Sequence, residues 1–266
     1  MIRLISAKIG YKHPILEVSA EFSGKIFLLG PNGSGKTTLF RAICGIANVF
    51  SGKIEVSGKD PKVVPNLSEI LLIMYAKAKD IIALRADLLR ADEGEIINYL
   101  RSMSLSPDIL SLKPSELSSG QLKSLLNAIA LGSRPEHALL DEPFEGLDPG
   151  RKVALMGLLD EYPGSVMVST HETSFVTRLK NRSVYFMFSG RLYGPFKGEE
   201  LENAGIVQGK RDDALVTIET PMGYVSIVPN EGRPLTAVYS LDQLYTIFRG
   251  NILARQRRDS GGKEKR

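Results

Sequence analysis

Residues 30–38 read GPNGSGKTT, and what flanks them decides the fold. The preceding KIFLLG, 25–30, is a short apolar run that stops at a glycine, and the following GKTTLFRAICGI carries the apolar spacing of a helix. Strand, tight glycine loop, then helix is the context that a phosphate-binding loop requires. Within it, Gly30 and Gly35 are separated by four residues and followed by Lys36 and Thr37. Glycines let backbone N–H groups curl around phosphate oxygens, a lysine sets its charge against the β- and γ-phosphates, and a threonine hydroxyl suits Mg²⁺. A helix starting near Gly35 also points its positive end at the anion. Asn32, Gly33, Ser34, Gly35, Lys36, Thr37 and Thr38 are therefore the candidate phosphate-binding residues, with Thr37 also a candidate metal ligand.

Before this loop, RLISAKIGY and ILEVSAEF alternate as strands do. After its helix come a polar region with turn signals, SGKIEVSGKDPKVVPN, an apolar run EILLIMY, and a mainly helical stretch over about 77–116 that reads as an inserted subdomain. From Leu122 onward a helix (LKSLLNAIALG), a buried strand (HALLDE), a helix (PGRKVALMGLLDEY) and a strand (SVMVST) follow one another. Short apolar strands alternating with helices imply an α/β fold with a mostly parallel sheet. Past about residue 200, ALVTIET and YVSIVP flank a Pro-Met-Gly turn and read as a hairpin. SLDQLYTIFRG reads as a short helix, with Ser240 as N-cap, Gln243 completing a capping box and Gly250 just past its end.

The 266 residues, 43% hydrophobic and 24% charged, suit one large domain with an appendage rather than a disordered chain. The longest apolar runs, EILLIMYA and SVYFMFSG, are far below the roughly 18–20 residues that a bilayer-spanning helix needs. The start, MIRLISAKIG, lacks the apolar stretch and cleavage site of a secretory signal, so a cytoplasmic location is expected. A single cysteine, Cys44, excludes an internal disulfide and reads as an inert buried thiol. Much of the net charge of +4 lies in the tail RQRRDSGGKEKR, read as a solvated end at 251–266 rather than a lipid or RNA contact.

The strand HALLDE ends in two acids. Asp141 at a strand's carboxyl edge would face the phosphates and hold Mg²⁺, and Glu142 would orient and deprotonate an attacking water. GPNGSGKTT, LSSGQ (117–121), LLDEP, GLD (146–148) and STH ending at His171 then arrive in an order and spacing that resemble the ATP-binding cassette (ABC) ATPase family, over roughly residues 1–195. The resemblance implies a P-loop ATPase fold at about 1–200 with an N-terminal antiparallel β portion, the helical subdomain, and a small appended α+β unit at 201–250.

The same resemblance implies Mg·ATP as ligand and a second nucleotide-binding domain, identical or related, paired head to tail. Ser118, Ser119, Gly120 and Gln121 would then serve the ATP held by the partner's loop. By the same carry-over Tyr11 stacks on adenine, Asp148 lies in the loop that crosses between subunits, and His171 reaches the γ-phosphate or the water. Asp148 also suits an N-cap before Pro149, whereas His13 and His137 have no such context. Two departures stand out: Ser119 occupies a position where glycine is commoner, and no glutamine lies between Thr38 and Gly120, with its place sought at Tyr75 or Ala76.

The leading expectation is the ATP-hydrolysing subunit of an ABC transporter, peripheral at the cytoplasmic face and driving separately encoded membrane subunits. The second is a soluble ABC ATPase that remodels a protein or nucleic acid, nucleic acid being the less expected partner. The third is a regulatory subunit that closes on ATP and barely hydrolyses it.

Overall fold

The computed structural model describes residues 1–67, 75–220 and 223–245. Its centre is a six-stranded sheet in the order β5 (Val63–Pro65), β6 (His137–Asp141), β7 (Ser165–Thr170), β3 (Lys25–Leu29), β8 (Ser183–Phe188) and β9 (Arg191–Lys197). The first five strands run parallel and β9 is antiparallel to β8. Strands buried on both faces need apolar side chains at successive positions, and this is why KIFLL and HALLD carry no polar alternation.

Each face of the sheet closes a different core. Ile26, Leu28, Leu139, Met167 and Met187 pack with the N-terminal sheet and with α1 (Lys36–Ile43). Phe27, Leu29, Leu140, Val168 and Phe186 pack with the other helices: α2 (Ala78–Leu89), α3 (Glu93–Ser102), α4 (Ser119–Gly132) and α5 (Pro149–Glu161). Local signals set several of the helix ends. Asp92 caps α3 by accepting from Gly94 N–H, Asp148 caps α5 by accepting from Arg151 N–H, and Pro149 stands in the first turn of α5, where no intrahelical donor is lost.

The N-terminal sheet is antiparallel, in the order β2 (Pro14–Phe22), β1 (Ile2–Gly10), β4 (Asn48–Val56). Here the structure corrects the sequence reading, because SGKIEVSG belongs largely to β4 and not to a turn region. Its side chains are mostly exposed, so it carries no strong apolar period; backbone pairing with β1 makes it a strand.

Beyond β9, a short helix α6 (Gly198–Glu202) leads into a four-stranded antiparallel sheet ordered β11 (Val216–Thr220), β12 (Gly223–Pro229), β10 (Ala204–Gln208), β13 (Arg233–Pro234). The expected hairpin is β11–β12, from Val216↔Ile227 to Thr220↔Gly223; Pro221 and Met222 lie outside the described residues. β10 was not expected from the sequence, and it forms the middle of that sheet. Ile206, Ile218, Val225 and Ile227 join the same hydrophobic cluster as the central sheet, so the C-terminal unit shares a core with it.

The helix expected over 240–250 is, as far as described, a 3₁₀ turn at Leu241–Tyr245. The Ser240 hydroxyl accepts from Asp242 N–H, and Gln243 N–H reaches the Ser240 carbonyl, a tighter winding than the α-helical capping box expected there. Gly250, the tail 251–266 and residues 68–74, which include all of the EILLIMY run but Tyr75, lie outside the described residues. No helix among the described residues is long and apolar enough to cross a membrane.

Leu139 and Leu140, both fully buried, point to opposite faces of β6. Leu139→Ala and Leu140→Ala should each cost roughly 2–5 kcal/mol in urea unfolding, since each leaves a void in a separate core. A negligible loss for one of them would show that its face is not packed.

Candidate functional site

The phosphate loop leaves β3 at the carboxyl edge of the central sheet. Gly30 N–H donates to the Thr170 carbonyl at 3.1 Å, tying the loop to the end of β7, and Gly190 N–H donates to the Ser34 carbonyl at 3.1 Å, tying it to the β8–β9 turn. Gly35 adopts φ 110° as the cap of α1, a backbone that side chains rarely accept. Lys36 is only 5% exposed: its ammonium donates to the carbonyls of Gly30 at 2.8 Å and Pro31 at 3.1 Å and lies 3.2 Å from Glu142 Oε1. The Ser34 hydroxyl is buried in the loop and has no partner among the described residues, an orphaned donor that a phosphate oxygen would satisfy.

Because β6, β7 and β3 are parallel neighbours, their C-terminal ends meet at one edge. Asp141 ends β6 there. It accepts from the Thr37 hydroxyl at 2.5 Å through Oδ2 and from the Ser169 hydroxyl, at close range, through Oδ1. A hydroxyl beside a carboxylate is an all-oxygen donor set, the kind Mg²⁺ takes while keeping waters and phosphate oxygens for its remaining positions. Glu142 follows with φ 45° and its N–H on the Ser169 carbonyl at 3.0 Å. Its carboxylate stands between Lys36 and His171, whose Nδ1 is 3.0 Å from Oε2. Strained backbone at a carboxylate that faces a phosphate loop fits a site whose geometry the surrounding fold imposes.

The structure places the other expected residues elsewhere. The Ser118 hydroxyl accepts from Gln121 N–H at 3.2 Å and Gln121 Oε1 accepts from Ser118 N–H at 2.9 Å, a capping box that starts α4. Gly120 is packed against the 146–148 turn so closely that a Cβ would stand 2.3 Å from the Gly146 carbonyl oxygen. Asp148 is exposed beside it, and the Arg151 backbone N–H holds its carboxyl below the usual range. Among the described residues no hydrogen bond or ion pair joins 117–121 or Asp148 to residues 30–38.

Tyr11, in the β1–β2 turn, has a part-exposed ring; its hydroxyl accepts from the Arg41 guanidinium at 2.8 Å and its carbonyl from Asn48 Nδ2 at 2.7 Å. Cys44 lies outside the constellation, and burial pushes its thiol up to about 12. His137 sits at the opposite end of β6, buried, with Nε2 at 2.8 Å from the Ser57 carbonyl; burial lowers its pKa.

Sequence reasoning missed three residues that hold Asp141. Asn66, 2% exposed, follows β5 directly; its Oδ1 accepts from Asp141 N–H at 2.6 Å, and its Nδ2 donates to Asn127 Oδ1 at 2.7 Å and to the Asp141 carbonyl at 3.3 Å. Asn127 in turn donates to the Pro143 carbonyl at 2.9 Å, Lys123 reaches the Asp141 carbonyl at 3.1 Å, and Ser169 takes the carboxylate. The amide sought at Tyr75 or Ala76 is thus not there. Tyr75 is 90% exposed under the Lys113 ammonium, while the strand beside β6 is β5 and the amide that follows it is Asn66. The only local sign was Val-Val-Pro-Asn, two β-branched residues and a turn pair. A further unforeseen residue, Asp242, meets the phosphate loop at Asn32.

A family model described as ABC transporter matches residues 16–145. The chain is 28% identical to a putative ABC transporter ATP-binding protein of Archaeoglobus fulgidus, over 77% of this chain and 98% of that one. It is 30% identical to a tungstate uptake system ATP-binding protein of Peptoclostridium acidaminophilum, over 64% of this chain and 85% of the relative. The solved structure of a putative cobalt transport ATP-binding protein superposes with a TM-score of 0.80 at 33% identity, covering 93% of this chain and 100% of that one. The chain belongs to the ABC transporter family. Its function is that of the family's ATP-binding subunits: it binds ATP, and it is an ATPase.

Asn66→Ala would strand the Asp141 N–H and one Asn127 amide group in the interior, at a cost of about 1–3 kcal/mol for each buried group left unpaired. The loss should be read in urea unfolding together with a fall in ATP turnover, since Asp141 loses its backbone anchor. Gly120→Ala should also destabilise the fold, because the new methyl meets the Gly146 carbonyl; an unchanged unfolding midpoint would contradict that packing.

Proposed function

We propose that this chain energises an uptake transporter: two such domains close head to tail on two Mg·ATP and drive separately encoded membrane-spanning subunits at the cytoplasmic face. The observation that carries the reading is the convergence of Lys36, the Thr37–Asp141 pair and the Glu142–His171 pair at one sheet edge. The relative named for tungstate uptake supports the transport direction, and that named for cobalt transport supports a role in transport.

The residues divide the work of ATP hydrolysis by charge. The N–H groups of the 30–38 loop and the start of α1 receive the phosphates, and Lys36 exchanges the Gly30 and Pro31 carbonyls for phosphate oxygens. Thr37 and Asp141 would hold Mg²⁺, which neutralises charge on the phosphates when bound. Once Lys36 turns to the nucleotide, Glu142 loses a cation and is free to accept a proton from the attacking water. His171 holds the Glu142 carboxylate from the other side and presents its ring to the terminal phosphate.

Among the described residues, segment 117–121 makes no hydrogen bond to its own phosphate loop. This supports a partner supplying it in trans, with Ser118 and Ser119 at the start of α4 directed to the partner's ATP. Tyr11 would stack on adenine, with the Arg41 contact fixing the ring. Asp148 would meet the second subunit as well as cap α5.

Glu142→Gln should bind ATP and dimerise in its presence while turnover falls by a factor on the order of 10²–10⁴, the span typical of removing a general base. The same variant, purified from native cells with Mg·ATP after gentle solubilisation, should carry a stoichiometric polytopic membrane protein. Full turnover would remove Glu142 from its role, and recovery of soluble partners alone would overturn the transporter reading.

A further inference from the structure

The C-terminal unit places an anion on the phosphate loop. Asp242 Oδ1 accepts from the Asn32 backbone N–H at 2.7 Å and Oδ2 from the Asn32 side-chain amide at 3.0 Å, across 210 residues of sequence. The carboxylate is aimed there by its neighbours. The Ser240 hydroxyl donates to Oδ2 at 2.9 Å and accepts from Asp242 N–H at 3.1 Å, while Val238, Leu241 and Leu244 are buried in the main core.

The same segment is fastened to the stretch that carries His171. Leu241 N–H donates to the His171 carbonyl at 2.9 Å, Thr173 N–H to the Tyr239 carbonyl at 3.2 Å, and the Thr173 hydroxyl to the Val238 carbonyl, while Glu172 and Ser240 form a β-bridge. The segment therefore touches the loop that receives the phosphates through Asp242 and, through Leu241, the backbone of the residue proposed to face the terminal one.

A carboxylate on a backbone N–H of an anion-binding loop occupies a donor that a phosphate oxygen would use, and it repels a polyanion arriving beside it. Lys36 and Thr37 find their partners among the loop and the carboxylates of Asp141 and Glu142; among the described residues Asn32 is the one satisfied by the C-terminal unit. We propose that Asp242 is an affinity-determining residue of the ATP site, an intramolecular competitor that the nucleotide phosphates displace from Asn32. Displacement removes one of the ties on the 238–242 segment, so by reciprocity whatever strengthens the hold of Asp242 on Asn32 weakens ATP binding, and ATP loosens the segment. The inference rests on residues 30–38 holding the phosphates.

The test uses the full chain. Mg·ATP dissociation constants are measured by calorimetric titration for the wild type, Asp242→Asn, Ser240→Ala and Lys36→Ala, with amide hydrogen exchange at Asn32 and Leu241 with and without nucleotide. Asp242→Asn keeps the shape and removes the charge, and should bind Mg·ATP on the order of tenfold more tightly, the fold-change of one charge-assisted hydrogen bond. Ser240→Ala, which leaves the carboxylate in place but undirected, should tighten binding by a smaller factor and serves if the first variant folds poorly. In the wild type, ATP should raise exchange at Leu241. Unchanged or weaker binding by Asp242→Asn would overturn the proposal and make Asp242 an organiser of the loop, and protection at Leu241 that persists with ATP bound would overturn the displacement. If Lys36→Ala binds ATP as the wild type does, it is the phosphate-loop reading itself that fails.

Discussion

Asp141 is held from every side, and the site depends on that restraint. Its N–H goes to Asn66, its carbonyl to Asn66 and Lys123, one carboxylate oxygen to Thr37 and the other to Ser169. These partners belong to the end of β5, to α4, to α1 and to β7, so a single side chain and its peptide draw four elements to one edge of the sheet. A buried amide is costly unless fully paired, and Asn66 with Asn127 meets that condition through each other and through the backbone on both sides of Glu142. The network makes the position of the carboxylate a property of the core rather than of a loop.

Around that anchor the charged functional groups lie in contact with one another. Lys36 lies on its own loop's carbonyls and beside Glu142, Glu142 is shared with His171, and Thr37 rests on Asp141. A triphosphate bound as proposed would exchange these partners rather than fill open space, and each exchange would move a charge toward where the reaction needs it. In the proposed mechanism Lys36 moves toward the phosphates and Glu142 is left as a free base. The parallel packing of β3, β6 and β7 brings the exchanging groups within reach of one another.

Much of this was legible in contiguous residues. The strand, glycine loop and helix around 30–38 were read with their places, as were β1, β2, β6, β7, α5 and the β11–β12 hairpin, because each carries its own apolar period or turn residues. The elements that escaped had no such signal. β4 is almost wholly solvent-facing and exists by pairing with β1, and β10 is a five-residue run whose role emerges only between β12 and β13. The amide after the strand was sought nine or ten residues too late, because an apolar run, EILLIMY, looked more like the strand than Val-Val-Pro did.

The sequence by itself determined the local devices: the phosphate loop, the Ser118–Gln121 capping box, the Asp148 cap with Pro149, and the order of motifs that marks the family. Each is encoded by side chains within a few residues of the backbone groups they bind. Only the tertiary structure decided that Asn66 secures Asp141 across 75 residues, that Ser169 does so across 28, and that Asp242 reaches Asn32 across 210. Those contacts are set by which strands lie side by side and by where the C-terminal unit joins the common core. No short-range pattern of residue types records either.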